Sequence, residues 1–170
     1  MPTRHTTVTT TIGDLLVVAD GPALTGIYFP GHWHPPAAGT TGVEVDPRAD
    51  ELFVAAAAQL RDYLAGSRTA FDLPTAAVGD EFQHAVWGML REIPFGETTT
   101  YGALAARLGD PNLARRVGNA VGRNPLSIVV PCHRVLGAGG SLTGYAGGLD
   151  RKRTLLELEG AAAVAQARLF

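Results

Sequence analysis

The chain has 170 residues, a formal net charge of −2 and 46% hydrophobic residues, enough for one ordinary domain or two small ones around a real core. No apolar run approaches the ~18 residues of a membrane-spanning helix, and the Thr-rich start lacks a signal-peptide pattern, so a cytoplasmic location and no membrane partner are expected. A single cysteine, Cys132, excludes an internal disulfide and any cysteine-cluster metal site, which leaves its thiol as buried filler or as a reactive group.

Residues 5–12 alternate as a strand does, Gly13 and Asp14 suit a hairpin turn, and residues 15–19 and 24–29 are two further apolar runs, together an antiparallel meander. Residues 30–46, rich in Pro, Gly and His, break all periodicity and read as a surface loop. Residues 49–64 carry apolar side chains at helical spacing, Gly66 is placed to end that helix, and a short strand around Phe71 closes the unit. A linker over residues 74–79 divides the chain into a domain of residues 1–78 and a domain of residues 79–170.

In the second domain Phe82, Val86, Met89 and Leu90 mark one face of a helix that stops before Pro94. Thr99 or Thr100 caps a helix running to Leu108, Gly109 ends it, and Asp110-Pro111 starts another from residue 112 to about 121. Two short helices joined by a Gly-containing turn suggest a helix-turn-helix, with an ordinary helical hairpin as the bland alternative. The charge distribution alone fits a solvated basic face equally well, and the pair Arg115 and Arg116 is what favours the first. Residues 1–79 hold 4 Arg against 8 Asp or Glu, whereas residues 107–153 hold 8 Arg or Lys against only Asp110 and Asp150. Arg115 and Arg116 stand near the start of the second helix, where a DNA-reading helix makes its contacts. Residues 126–130 then form an apolar run, readable as a buried extended segment ending at Pro131. A glycine-rich stretch over residues 137–148 lets the backbone around Tyr145 lie close to a ligand. Residues 149–158 resume as a helix with Glu159 at its end, and the tail over residues 161–170 is uninformative.

Pro131-Cys132-His133-Arg134 puts the thiol beside a histidine. A nucleophilic cysteine needs a nearby base or a lowered pKa, because the thiolate is the reactive form. In an extended segment neighbouring side chains face opposite ways, so His133 is expected to reach the sulfur through a water, with Glu159 available to orient the imidazole. From the residues alone an inert core cysteine stays open beside this reading.

The run 131–135, preceded by Asn124-Pro125 and followed by Gly144-Tyr145-Ala146-Gly147-Gly148 and residues 155–160, resembles the O6-alkylguanine-DNA alkyltransferase family from Phe82 to Gly160. The resemblance implies an α+β fold of two domains, a small antiparallel sheet with a helix of ribonuclease H-like α/β-roll type, and a mostly helical, winged-helix-like domain holding the helix-turn-helix. It implies irreversible, single-turnover transfer of an alkyl group from O6-alkylguanine in double-stranded DNA to Cys132, with O4-alkylthymine left open as a second substrate. His133 and Glu159 match the residues that activate the cysteine through a bridging water, and Asn124 the asparagine tying the turn after the recognition helix to the active-site segment. Tyr101 matches a tyrosine pressing on the phosphate beside the target base, and Arg115 an arginine filling the vacated stack. Tyr145, Ala146 and the backbone around Val135 match the pocket for the flipped purine, with Ala146 replacing a serine of some relatives. Ala114, Gly118 and Ala120 are small enough for close approach to the minor groove, and Arg123 adds a DNA contact. The Tyr145 hydroxyl is the candidate proton donor to the departing guanine.

Some members of that family hold zinc through cysteine and histidine, but His5, His32, His34 and His84 show no tight ligand spacing, so neither metal nor cofactor is expected. A monomer is expected, with cooperative assembly on DNA open. The alternatives are a lesion binder without chemistry, a helix-turn-helix regulator and a hydrolytic cysteine enzyme.

Overall fold

The structure, a computed structural model, describes residues 2–162. Two compact units emerge, one comprising the chain up to Val78 together with Pro125–Val129, the other Gly79–Asn124 and the chain from Val130 onward.

The first unit is a four-stranded sheet covered by one helix. Strands β1 (Arg4–Thr10), β2 (Gly13–Asp20) and β3 (Ala23–Tyr28) form the antiparallel meander. Alternation places Arg4, Thr6 and Val8 of β1 inward, and Leu15, Val17 and Ala19 of β2 join them in the core. The first hairpin turns two residues earlier than expected, at Thr11-Ile12, with Gly13 already paired to Thr10. The Thr10 hydroxyl explains this, since it donates to Gly13 O (2.6 Å) and accepts from Ile12 N (3.2 Å), closing the turn with a side chain. A fourth strand, β4 (Val43–Glu44), corrects the reading of residues 30–46 as loop throughout: it pairs in parallel with β1 and gives the sheet order β3-β2-β1-β4. Two residues are too few to show an alternation. Gly42, at φ 68°, makes the pairing sterically possible, because a Cβ there would collide with the Thr3 backbone.

Helix α1 (Glu51–Leu64) buries Phe53, Ala56, Ala57, Leu60 and Tyr63, the recurrence of an amphipathic face. Asp50 caps it by accepting from Leu52 N (3.0 Å) and Phe53 N (3.3 Å). The same carboxylate pairs with the buried Arg4 guanidinium, which also donates to Gly21 O (2.9 Å). The Arg4 bond comes first in holding the Asp50 carboxyl below its usual value. Asp50→Ala is therefore expected to lower the unfolding free energy by about 3–5 kcal/mol at pH 7, since it strips a cap and strands a buried cation. A carboxyl depressed in the folded state contributes fully above its unfolded value of ~3.9 and loses that contribution as pH falls through the lower folded value. The gap between wild type and variant should then narrow in that acid window, which urea titrations at pH 7 and pH 3 would reveal; equal stabilities at pH 7 would refute the pairing's importance.

No strand forms around Phe71. Its ring packs on Tyr63 (5.3 Å between centroids), and only Thr75 pairs, in a single parallel bridge to Leu24 flanked by Pro74. Proline supplies no N–H to extend a ladder. A second parallel bridge joins Leu126 to Ile27, with Ile27 N donating to Pro125 O (2.7 Å). Together the two bridges cover the open edge of β3. Residues 126–130 do not run extended as expected. Val129 N donates to Ser127 O (2.9 Å) around Ile128 at φ 74°, a γ-turn of the strained hand at a β-branched residue.

The second unit is mostly helical. Helix α2 (Glu81–Arg91) opens with a reciprocal capping box between Asp80 and Gln83 and buries Val86, Trp87, Met89 and Leu90. Phe82, expected on the same face, is half-buried beneath the Arg116 guanidinium (3.9 Å). Strand β5 (Thr99–Thr100) leads into helix α3 (Tyr101–Arg107), capped by the Thr100 hydroxyl on Ala103 N (3.1 Å). Gly109 at φ 94° ends α3. A 3-10 turn, Pro111–Leu113, then precedes α4 (Ala114–Gly122), so the second helix of the pair starts two residues later than its periodicity suggests. Strand β6 (Val135–Leu136) pairs in parallel with β5, and α5 spans Leu149–Leu158. Among the described residues no helix is long and apolar enough to cross a membrane.

Candidate active site

Two consecutive tight turns present the thiol. Cys132 N donates back to Val130 O (2.8 Å) across Pro131 at φ −80°, ψ 65°, an inverse γ-turn. Residues Cys132–Arg134 then form a 3-10 turn. This corrects the expected extended conformation: at three residues per turn, adjacent side chains diverge by a third of a circle rather than pointing to opposite faces. Val130 O also accepts from Asn124 Nδ2 (2.9 Å), so the residue just beyond α4 braces the turn that carries the cysteine.

Cys132 is buried, and burial dominates in raising its thiol pKa. The Asn124 and Tyr145 side chains and the charge of Lys152 act in the opposite sense. The resting group is therefore a thiol needing a base. His133, fully buried, places Nε2 2.9 Å from Glu159 Oε2. An ionised carboxylate only accepts, so Nε2 carries the hydrogen and Nδ1 holds the lone pair. Nδ1 meets no protein hydrogen-bond partner among the described residues. Burial holds the imidazole below its ordinary value against the opposing pull of Glu159, which keeps it neutral and basic.

Glu159 caps the end of α5 and is shared with Arg134, whose Nε donates to Oε1 (2.9 Å) and Nη2 to Oε2 (2.7 Å), while Nη1 donates to Ile93 O (2.6 Å). Sequence reasoning assigned no role to Arg134, although it closes the Pro-Cys-His-Arg run. It also passed over Lys152, whose signal was present, as it is the only lysine in the chain.

The other expected site residues fall into two groups. Val135, Tyr145 and Ala146 are buried, and Tyr145 favours the ionised form of the thiol. Tyr101, the first residue of α3, is half-buried, with its hydroxyl 3.5 Å from Thr143 O and its pKa raised by burial and by the Cys132 charge. Ala114 and Gly118 are half-buried on α4, and Arg115 is exposed. Arg123, at the helix end, is exposed and donates to Asn119 Oδ1 (3.3 Å). Ala120 is a correction: it is 2% exposed and its carbonyl accepts from Trp87 Nε1 (2.8 Å), so it packs inward against α2 instead of offering a surface. Among the described residues no group of three or more His, Cys, Asp or Glu side chains converges as a metal site requires.

A buried thiol beside an oriented neutral imidazole, in a unit that carries a packed pair of short helices, is the arrangement that a cysteine nucleophile served by a histidine base would need. Comparison with known proteins makes the identification specific. Residues 3–77 match the 6-O-methylguanine DNA methyltransferase ribonuclease-like domain and residues 81–161 the DNA binding domain of the same family. The chain belongs to the 6-O-methylguanine DNA methyltransferase family. It is 47% identical to a methylated-DNA--protein-cysteine methyltransferase of Mycolicibacterium paratuberculosis over 98% of both chains. The crystal structure of Mycobacterium tuberculosis O6-methylguanine methyltransferase superposes with a TM-score of 0.82 at 42% identity, covering 93% of each chain. A structure of the protein from that organism in complex with DNA gives 0.83 at 43% identity, covering 95% of this chain and 97% of the other.

Proposed function

We propose that this chain repairs O6-alkylguanine in double-stranded DNA by taking the alkyl carbon onto Cys132 Sγ, once per molecule. The observation that carries the reading is the neutral, fully buried His133 held by Glu159 next to the chain's only thiol. His133 Nδ1 takes the thiol proton through a bridging water, and Glu159 stabilises the resulting imidazolium. The thiolate attacks the alkyl carbon in line; the S–C bond forms as the C–O6 bond breaks, and the electron pair stays on the purine. Tyr145 donates a proton to the departing guanine and is reprotonated from the imidazolium through water, so the thiol proton ends on the base. The thioether has no leaving group and no return path.

An alkyl group on O6 is enclosed in a duplex, so the nucleotide must leave the stack, at a cost of a few kcal/mol that an inserted side chain partly offsets. Exposed Arg115, at the second position of α4, is suited to that insertion, and Tyr101 to pressing on the neighbouring phosphate. Ala114 and Gly118 allow close approach of α4 to the groove, Arg123 adds a phosphate contact, and Val135 and Ala146 line the base pocket with Tyr145. Residues 1–78 act as a supporting domain. A relative of known structure that binds DNA supports this reading.

Intact and peptide mass spectrometry after mixing with an equimolar duplex carrying one O6-methylguanine tests it. The expected result is a gain of one methylene on the Cys132 peptide, saturating at one per molecule. No gain with DNA binding retained would replace the proposal with a lesion binder that performs no chemistry.

A further inference from the structure

The chain meets every other need for a cationic side chain with arginine and keeps its single lysine out of solvent altogether: Lys152, on the first turn of α5, is 0% exposed. A buried ammonium is among the most costly groups to place in a fold, so its surroundings show what it is for. Its Nζ donates to three backbone carbonyls, Val135 O at 2.6 Å, Thr143 O at 2.9 Å and Gly144 O at 3.2 Å. Three acceptors match the three tetrahedral donors of an ammonium, whereas a neutral amine has two hydrogens and a lone pair that would face a carbonyl. Neither would the flat fork of a guanidinium fit such a cradle.

The three carbonyls are not scattered. Val135 lies three residues beyond Cys132, at the start of β6. Thr143 and Gly144 lie immediately before Tyr145, whose side chain acts to lower the pKa of the thiol. Thr143 O is also the carbonyl that the Tyr101 hydroxyl approaches.

We propose that Lys152 is a positioning residue for alkyl transfer: its buried ammonium pins the loop bearing Tyr145 to the strand leaving Cys132, and its charge favours the thiolate. The proposal rests on the transfer reading above and adds to it a group that does not touch the substrate. Burial brings the ammonium down to about 8 while the Cys132 charge opposes that fall, so it remains charged at neutral pH. The titratable groups facing it are Cys132, which it helps to ionise, and His133, which it helps to keep neutral.

Because the chain has one lysine, ¹⁵N-lysine labelling of the full chain yields a single Nζ signal. At neutral pH the wild type should show an exchange-protected ammonium correlation that moves when Cys132 is capped with iodoacetamide. Lys152→Met should raise the pH midpoint of the iodoacetamide reaction by about one unit or more. It should also speed amide exchange at residues 143–146 and slow alkyl transfer by about 10–100-fold. Lys152→Arg, which restores charge without the geometry, should recover the midpoint but not the loop protection. A folded Lys152→Met protein with an unshifted midpoint and unchanged exchange would overturn the proposal. If that variant does not fold, the wild-type signal decides alone, since an unprotected amine, or a signal indifferent to Cys132 capping, overturns it equally. None of these thiol and exchange readouts needs alkylated DNA, so a wild type that shows them yet takes up no alkyl group would remove the repair function and leave Lys152's role standing.

Discussion

A Cys132→Ala protein is expected to bind duplex DNA as the wild type does and to gain no mass from O6-methylguanine at any incubation time. The loss should be complete, because the chain contains no second thiol to accept the alkyl group. Binding should survive because the arginine proposed to enter the stack, Arg115, is exposed on α4 and is not part of the 3-10 turn that holds Cys132. Folding should survive too, since removing one buried sulfur leaves a cavity smaller than a Leu→Ala change does, at about 1 kcal/mol. Gel-shift titration and mass spectrometry on the same sample separate these outcomes. Any alkyl gain by the variant would place the acceptor elsewhere and overturn the mechanism.

Glu159→Gln is expected to damage both chemistry and stability. The carboxylate accepts one bond from His133 and two from Arg134 with its side chain fully buried. An amide in its place must aim an NH2 at one of those donors, and it no longer neutralises Arg134. Breaking a buried pair from one side costs about 3–5 kcal/mol, readable as a lower urea midpoint. The imidazole also loses the partner that fixes its tautomer, so transfer should slow by about 10²–10⁴-fold in a single-turnover quench experiment. The pH dependence carries a second signature. Burial keeps wild-type His133 below the ordinary imidazole value, so the acid limb of transfer should lie below pH ~6.5. Glu159 raises the His133 pKa; its removal should therefore move that limb to still lower pH while lowering the plateau. Wild-type rates in Glu159→Gln would mean that His133 is not the base.

Several parts of this protein were legible because their cause is local. Asp50 and Thr100 cap helices where their side chains reach the first free N–H groups, and Gly66 and Gly109 supply the positive φ that ends α1 and α3. Helices α1, α2 and α5 follow from apolar spacing in the same way. The lone cysteine, the adjacent histidine and the arginine-rich second half pointed to the proposed chemistry and to the helical unit around it. Less legible were features that need a partner distant in the chain. β4 becomes a strand only because β1 offers a free edge, and Ala120 packs inward because it shares the face of α4 that buries Val117 and Val121 and meets Trp87 of α2.

What the sequence by itself determined, then, was the order of elements, the one thiol that can serve as a nucleophile and the kinds of side chain available to serve it. Tertiary structure decided the rest. Paired γ-turns at Ile128 and Pro131 replaced the extended run, because Leu126 pairs with β3 while Asn124 holds Val130 O. Arg134 and Lys152, whose charges look on paper like part of a basic surface, are buried against Glu159 and against three carbonyls. Charge patterning records that a cation is present, but whether water or a carboxylate answers it depends on which groups the fold brings within hydrogen-bond reach, and those lie 25 residues from Arg134 and up to 17 from Lys152.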